Sequence, residues 1–322
     1  AERTREFIHA EVLAVDDEFD GDVDAAGGDT LREKLQAKAR AAGIFAPHAP
    51  VDCGGLGLGM VDRAPVFEEA GYSLFGPMAL NIAAPDEGNV HLLDQVATAE
   101  QRERFLQPLA RGEVRSAFAM TEPAPGAGAD PTALSTRAEK VAGGWVVNGR
   151  KWFITGADGA AFFITMARTS GEPGQPGGAT MFLMPAKTEG LTVVRHVGTS
   201  DRSMLGGHCE VTYENAFVPD DGVLGEVDEI GVPAGVREVG VGGAAVVGAG
   251  SPRDQASLLQ PSYDVRQPGQ RGVGAPGEPR HPQRAVVGLG EHREHEVLEV
   301  REPGVDSQLR VEHPREELDH AD

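Results

Sequence analysis

The feature that most constrains this chain is a change of hydrophobic period at Arg115. Before it, apolar residues recur at helical spacing; after it they alternate with period two in short runs split by Gly, Pro and Asp. From Asp29 the run TLREKLQAKARAAGI places Leu31, Leu35, Ala39 and Ala42 on one helix face, with Thr30 as its cap and Gly43 as its stop. PVFEEAGYSLF (65–75), GNVHLLDQVA (88–97) and TAEQRERFLQPLARGE (98–113) read as further helices, the last opening on a Thr98–Gln101 capping box. Beyond Arg115, SAFAMT, LSTRAEKV, GWVVNGRKWFIT, AFFITMAR, ATMFLMPA, LTVVRHV and CEVTYENAFVP read as seven strands, and Asn148-Gly149 as a hairpin turn, because both residues tolerate positive φ. Strands and helices do not alternate, which disfavours a doubly wound parallel sheet. The predicted class is α+β: an N-terminal helical domain over 1–114, then a central β-barrel or sandwich domain over 115–226.

A second break falls at Ile230. All Lys, Phe, Met, Trp, Ile, Thr and Asn lie at or before it, whereas residues 231–322 hold 14 Gly, 9 Pro and 10 Arg with Tyr263 as their one aromatic. Two readings of 227–322 stand side by side. One is a disordered low-complexity tail, since the segment has little with which to build a core. The other is an out-of-frame translation, since the missing residues have codons that mostly begin with A or T, a bias produced when the G/C-rich third positions of a gene are read as first positions.

Charge and cysteine usage narrow the function. A formal charge of −21 repels phosphate backbones and anionic membrane surfaces, so neither nucleic acid nor membrane is an expected partner. No apolar run reaches the roughly 20 residues that span a bilayer, and AERTREFIHAEV lacks the apolar core of a secretory signal, so the expected location is cytoplasmic. Cys53 and Cys209 are the two cysteines, too few for a disulfide scaffold or a four-cysteine zinc site.

Several motifs compete for a chemical reading. GGLGLG (54–59) lacks the G-x-G-x-x-G spacing and a preceding strand, and reads as a turn between helices. EHREHEVLEV has Glu299 where a metalloprotease helix needs its second His. His9, His48, His91, His196 and His208 share no spacing and read as surface or satisfied core residues; no metal is expected. FAMTEPAPGAGAD (118–130) instead sets Thr121 at a strand end before a Pro/Gly loop, and NGRKWFITGA (148–157) sets Trp152 and Phe153 beside Thr155. Two hydroxyls and an aromatic face suit an isoalloxazine ring, whose edge accepts hydrogen bonds and whose plane stacks, although ordinary strand ends have the same composition.

The series YSLFGPMALNIAAPDEGNVHLL, AEQRERFLQPLARGEVRSAFAMTEP, NGRKWFITGA and FVPDDGVLGE, in this order, resembles the acyl-CoA dehydrogenase family over residues 1–226. The resemblance implies an FAD-dependent oxidoreductase of fatty acid metabolism: a carboxylate takes the α proton of an acyl-CoA thioester while the β hydrogen leaves as hydride to flavin N5. It implies that the Met120 backbone and Thr121 meet the flavin, that Phe153 lies against the ring, that Thr155 donates nearby, and that Glu122 and Pro123 shape the loop. Where the family commonly has a serine for cofactor phosphate this chain has Ala129, and Ala124-Pro125 are inserted relative to the plainer TEPGAGSD form.

An electron-transfer flavoprotein is the implied acceptor. The family's C-terminal four-helix domain supplies the base and the dimer or tetramer interface. No such bundle is recognisable here, so Glu238, Glu278, Glu294 and Glu299 are not credible bases by motif, the catalytic base is unassigned and the oligomer is in question. The expectation is an acyl-CoA dehydrogenase impaired in this copy; the alternative is a non-catalytic remnant or interaction protein.

Residues 231–322 are expected to form no packed domain. Ordering costs about 1–2 kcal/mol per residue, and a segment lacking Ile, Phe and Met has little apolar surface to offset it. Hydrogen exchange on the full chain checks this: slow exchange across 231–322 would show a folded domain.

Overall fold

The computed structural model describes residues 1–229 except Pro176, all within one compact unit. The expectations for the tail, including EHREHEVLEV and the four tail glutamates, lie outside the described residues.

The chain opens in helices. α1 (Glu2–Phe7) runs through a π-helical turn, Ile8–Val12, into α2 (Leu13–Phe19), burying Phe7, Ile8 and Val12. α3 (Gly28–Ala41) buries Leu31, Leu35 and Ala39, the stripe its spacing predicts. Its start differs from the predicted one: the N-cap is Gly27 and Thr30 lies inside the first turn. Gly43, at φ +67°, follows the helix end as predicted.

α4 (Met60–Ala70) begins before the predicted Pro65, which it contains, and α5 (Gly76–Ala79) is a separate short turn of helix. Periodicity misses that first turn because Met60 and Val61 face solvent, Val61 at 86 % exposure. The glycine-rich 54–59 segment is the loop before α4, and a Cβ at Gly55 would lie 2.2 Å from the Ala49 carbonyl. α6 (Asp86–Val96) and α7 (Ala99–Gln101) follow, the latter with the Thr98–Gln101 box formed in both directions. A π turn, Arg102–Leu106, then leads into α8 (Gln107–Ala110).

Eight strands then form one mixed sheet: β1 (Ser116–Ala119), β2 (Arg137–Val141), β3 (Gly144–Thr155), β4 (Phe162–Arg168), β5 (Ala179–Pro185), β6 (Leu191–His196), β7 (His208–Pro219) and β8 (Val223–Leu224). The order is β6-β7-β3-β2-β4-β5-β8, with β1 also on β4. β8 was not foreseen, and β1 and β2 each pair with β4 in parallel.

The Asn148-Gly149 hairpin is overturned. β3 runs straight through both residues, and the tight turn to β2 falls at Ala142-Gly143, with Gly143 at φ +79°. Asn148 and Gly149 instead lie at a register shift against β7, where Asn148 Oδ1 accepts from the Asn215 N–H at 2.8 Å. Close approach explains the glycine, because a Cβ there would lie 2.4 Å from Thr136 Oγ1.

The core has two halves that meet at β4, where every residue is buried. Phe162, Ile164 and Met166 join the helical core, whereas Phe163 and Ala167 join Trp145, Val147, Val211 and Tyr213 on the other face. Phe105 packs on Phe162 at 4.9 Å between ring centres, and the Tyr213 hydroxyl meets Thr165 Oγ1 at 3.0 Å. Among the described residues no helix is long and apolar enough to cross a membrane.

Arg115, the residue of the period switch, joins helices to sheet. Its guanidinium pairs with Asp29 on α3 and donates to the carbonyls of Gly156, Asp158 and Leu205. Arg115→Met should lower stability by about 3 kcal/mol, since it strands buried carbonyls. Urea unfolding at unchanged m-value measures it; a midpoint equal to wild type would show that these bonds contribute nothing.

Candidate functional site

β1 and β2 occupy the same side of β4, end to end: Ala119 lies beside Thr165, and Arg137 beside Arg168. The chain between them, residues 120–136, leaves the sheet and forms the loop that carries the sequence-predicted site. What holds it is a buried carboxylate. Glu122 accepts from Lys151 Nζ at 2.9 Å, Ser135 N at 2.8 Å, Ser135 Oγ at 2.6 Å and Thr136 N at 2.9 Å. A backbone bridge from Glu122 N to the Gly128 carbonyl, 3.0 Å, closes the inner turn of the loop.

The Lys151 and Glu122 side chains are 0 % and 1 % exposed. Burial works against the Glu122 charge, but the Lys151 ammonium and the Ser135 and Thr136 donors outweigh it, leaving its pKa at about 2. Burial lowers the Lys151 pKa to about 8 despite the opposing pull of Glu122, so the two are an ion pair at neutral pH. Behind them the buried Arg168 donates to the carbonyls of Leu134 (3.0 Å), Ser170 (3.1 Å) and Gly177 (3.3 Å) and to that of Thr132, tying the far end of the loop to β4.

The four residues singled out from sequence fall at two points of this frame. The Met120 carbonyl accepts from Lys151 Nζ at 2.9 Å, and the Thr121 carbonyl accepts from Trp152 N at 3.0 Å, so Met120 and Thr121 lie directly against β3. The Thr121 N–H has no acceptor among the described residues. Phe153 follows at φ +51°, a strained backbone for an aromatic residue, within the register shift between Lys151 and Ile154. That shift turns its ring outward to 42 % exposure, with the Trp152 ring 4.7 Å away. Thr155 ends β3, its Oγ1 3.0 Å from His208 Nδ1, and Asp201 Oδ2 lies 3.8 Å from the other His208 nitrogen.

Beyond Thr155 a cavity of about 380 Å³ lies between the helices and the strand ends, bordered by Met78, Ile82, Asp86, Ser116, Gly156 and Leu205. Asp86 Oδ1 accepts from Ser116 N at 2.8 Å and Ser116 Oγ at 2.6 Å, while burial raises its pKa to about 6 against those bonds.

Lys151, Arg168, His208 and Asp86 were missed as functional candidates. Lys151 follows Arg150 in the sequence, where nothing marks it as buried, and only the spatial return of residues 120–122 gives it a partner. His48 departs from the expected satisfied histidine: it is buried, neither ring nitrogen has a partner, and burial, then Arg63 and His91, lower its pKa to about 3, which makes it a neutral imidazole. Among the described residues no cluster of three His, Cys, Asp or Glu side chains is placed to hold a metal ion.

The chain matches two family models: "Acyl-CoA dehydrogenase, N-terminal domain" over residues 1–113 and "Acyl-CoA dehydrogenase, middle domain" over residues 117–216. "Probable acyl-CoA dehydrogenase FadE2" of Mycobacterium tuberculosis is 35 % identical over 235 residues, which are 70 % of this chain and 56 % of the relative; the chain thus spans a little over half of that protein's length. A solved chain from Mycobacterium abscessus, assigned to the acyl-CoA dehydrogenases, superposes with TM-score 0.62 at 36 % identity over 70 % of this chain and 59 % of its own. An acyl-CoA dehydrogenase of Bacillus anthracis solved in complex with FAD superposes with TM-score 0.56 at 25 % identity, covering 70 % and 37 %.

The low pKa of Glu122 gives a pH test. A carboxyl held at about 2 against an ordinary 4.5 stabilises the fold fully above pH 4.5 and loses that contribution as pH falls toward 2. Glu122→Gln should cost about 3 kcal/mol at pH 7, and the gap from wild type should close as pH approaches 2. Urea midpoints of both proteins across that range measure the gap; a gap independent of pH would show that Glu122 is not held as a carboxylate.

Proposed function

The chain belongs to the acyl-CoA dehydrogenase family, and on that premise we propose that residues 1–229 form the flavin-holding part of an FAD-dependent acyl-CoA dehydrogenase. The observation that carries the proposal is the unpartnered Thr121 N–H beside the outward-turned Phe153 ring, on a loop anchored through Glu122 to Ser135 and Thr136. A backbone donor, a threonine hydroxyl and an aromatic face within one strand register fit the acceptor edge and the flat face of an isoalloxazine.

In this reading Met120, Thr121, Phe153 and Thr155 hold the ring. Thr121 offers its N–H, Thr155 its hydroxyl braced by His208, and Phe153 with Trp152 excludes water from one face. When bound, FAD supplies the acceptor for the two electrons and the β hydrogen of an acyl-CoA thioester. The cavity beside Gly156, with Met78, Ile82 and Leu205 in its wall, takes the acyl chain. Ala129 offers no hydroxyl to cofactor phosphate, which weakens that end of the site. The base for the α proton is not assigned among the described residues. An electron-transfer flavoprotein is the proposed acceptor.

A second reading, a non-catalytic remnant or interaction protein, draws on Ala129, which has no hydroxyl to offer a cofactor phosphate. Flavin uptake separates the two. The full chain, mixed with FAD and desalted, should keep a flavin absorption band, and Thr121→Val with Thr155→Val should weaken binding by about tenfold or more. A folded chain that retains no flavin favours the remnant reading.

A further inference from the structure

Lys151 is fully buried, and yet spends one of its three donors on the Met120 carbonyl. That carbonyl and the Thr121 N–H belong to one peptide unit. The Met120–Thr121 bond is not among the cis bonds of the chain, so the two groups point in opposite directions. Drawing the carbonyl inward to the ammonium therefore turns the N–H outward, away from the ion pair. The next carbonyl, that of Thr121, is drawn to Trp152 N, which fixes the second plane. Glu122, held by Ser135 and Thr136, keeps the ammonium beside Met120 and prevents it from reaching solvent.

We infer that Lys151 is a positioning residue for the cofactor: it never touches the flavin, but orients and polarises the Met120–Thr121 peptide so that the Thr121 N–H is presented as a preorganised donor to the ring. An ammonium on the carbonyl oxygen draws electron density through the amide and strengthens its N–H as a donor. The arrangement is fixed before any ligand arrives, because both side chains are locked in the core. The inference rests on the flavin reading above, and predicts that a charge hidden behind the loop controls affinity and redox potential at its front.

The test must separate this role from the support the ion pair gives the fold. Lys151→Met alone leaves Glu122 buried and unpaired, and folding can fail for that reason. The informative comparison is wild type against Glu122→Gln with Lys151→Met, which removes the ammonium from Met120 without stranding a carboxylate. Met120-Thr121 is the one Met-Thr pair in the sequence, so carbonyl-¹³C methionine with ¹⁵N threonine labels that single peptide and reports its hydrogen bonding with no flavin present.

The Met120 carbonyl resonance should move upfield from wild type to the double variant. The FAD dissociation constant should rise about tenfold or more, and the flavin potential should fall, from wild type to the folded double variant. A resonance that stays put, or FAD affinity and potential unchanged between wild type and the folded double variant, overturns the inference. If the wild-type chain takes up no FAD, the flavin reading fails on its own. The labelled peptide still decides the rest: a moved resonance upholds Lys151 as the residue that orients this peptide, and an unmoved one removes it.

Discussion

The site loop depends on a single buried ion pair. Lys151 and Glu122 are taken wholly out of water, a cost their attraction offsets with the help of further hydrogen bonds: the ammonium also bonds Met120, and the carboxylate also bonds Ser135 and Thr136. A hydrophobic pair of the same volume would hold the strand and the loop together as well. It would not fix the plane of the Met120–Thr121 peptide, and this specificity is what the pair supplies.

The pair is effective because the sheet brings its two halves together from 29 residues apart. β1 stops after four residues and β2 resumes the same side of β4, leaving a gap through which residues 120–136 leave the sheet. β3 crosses that gap and presents Lys151 inward, then shifts register so that Phe153 turns outward. Arg168 on β4 secures the far side of the loop through main-chain carbonyls. A flexible Pro/Gly segment is thereby held at Glu122, at the Ser135–Thr136 return and at the Thr132–Leu134 turn.

Packing sets the position of the helices against this frame. β4 contributes to both halves of the core, so the helical layer cannot shift without disturbing the face that carries Trp145 and Tyr213. Arg115 adds direction to that contact by bonding α3, the β3–β4 turn and the loop before β7. The cavity beside Gly156 is a consequence. It is the space left where Asp86 of α6 meets Ser116 of β1, and Gly156 leaves it open, since a Cβ there would already lie 3.3 Å from the Ser116 carbonyl.

The amino-acid sequence by itself determined the order of helical and strand regions, the stripe of α3, the Thr98–Gln101 box and the family, because each depends on neighbours within a few positions or on ordered motifs. It located Met120, Thr121, Phe153 and Thr155 as candidates for the same reason. It misplaced the start of α3, the start of α4 and the Asn148-Gly149 turn. In the last two, solvent or a tertiary contact overrode local preference: Met60 and Val61 face solvent, and Gly149 is required by Thr136 passing 2.4 Å from where its Cβ would lie, not by a turn. Tertiary structure alone decided that Lys151 is buried, that Glu122 is its partner and that the Thr121 N–H is left open. The physical reason is that the value of a charged side chain is set by what the fold brings within about 3 Å of it, and no period in the sequence encodes a contact across 29 residues.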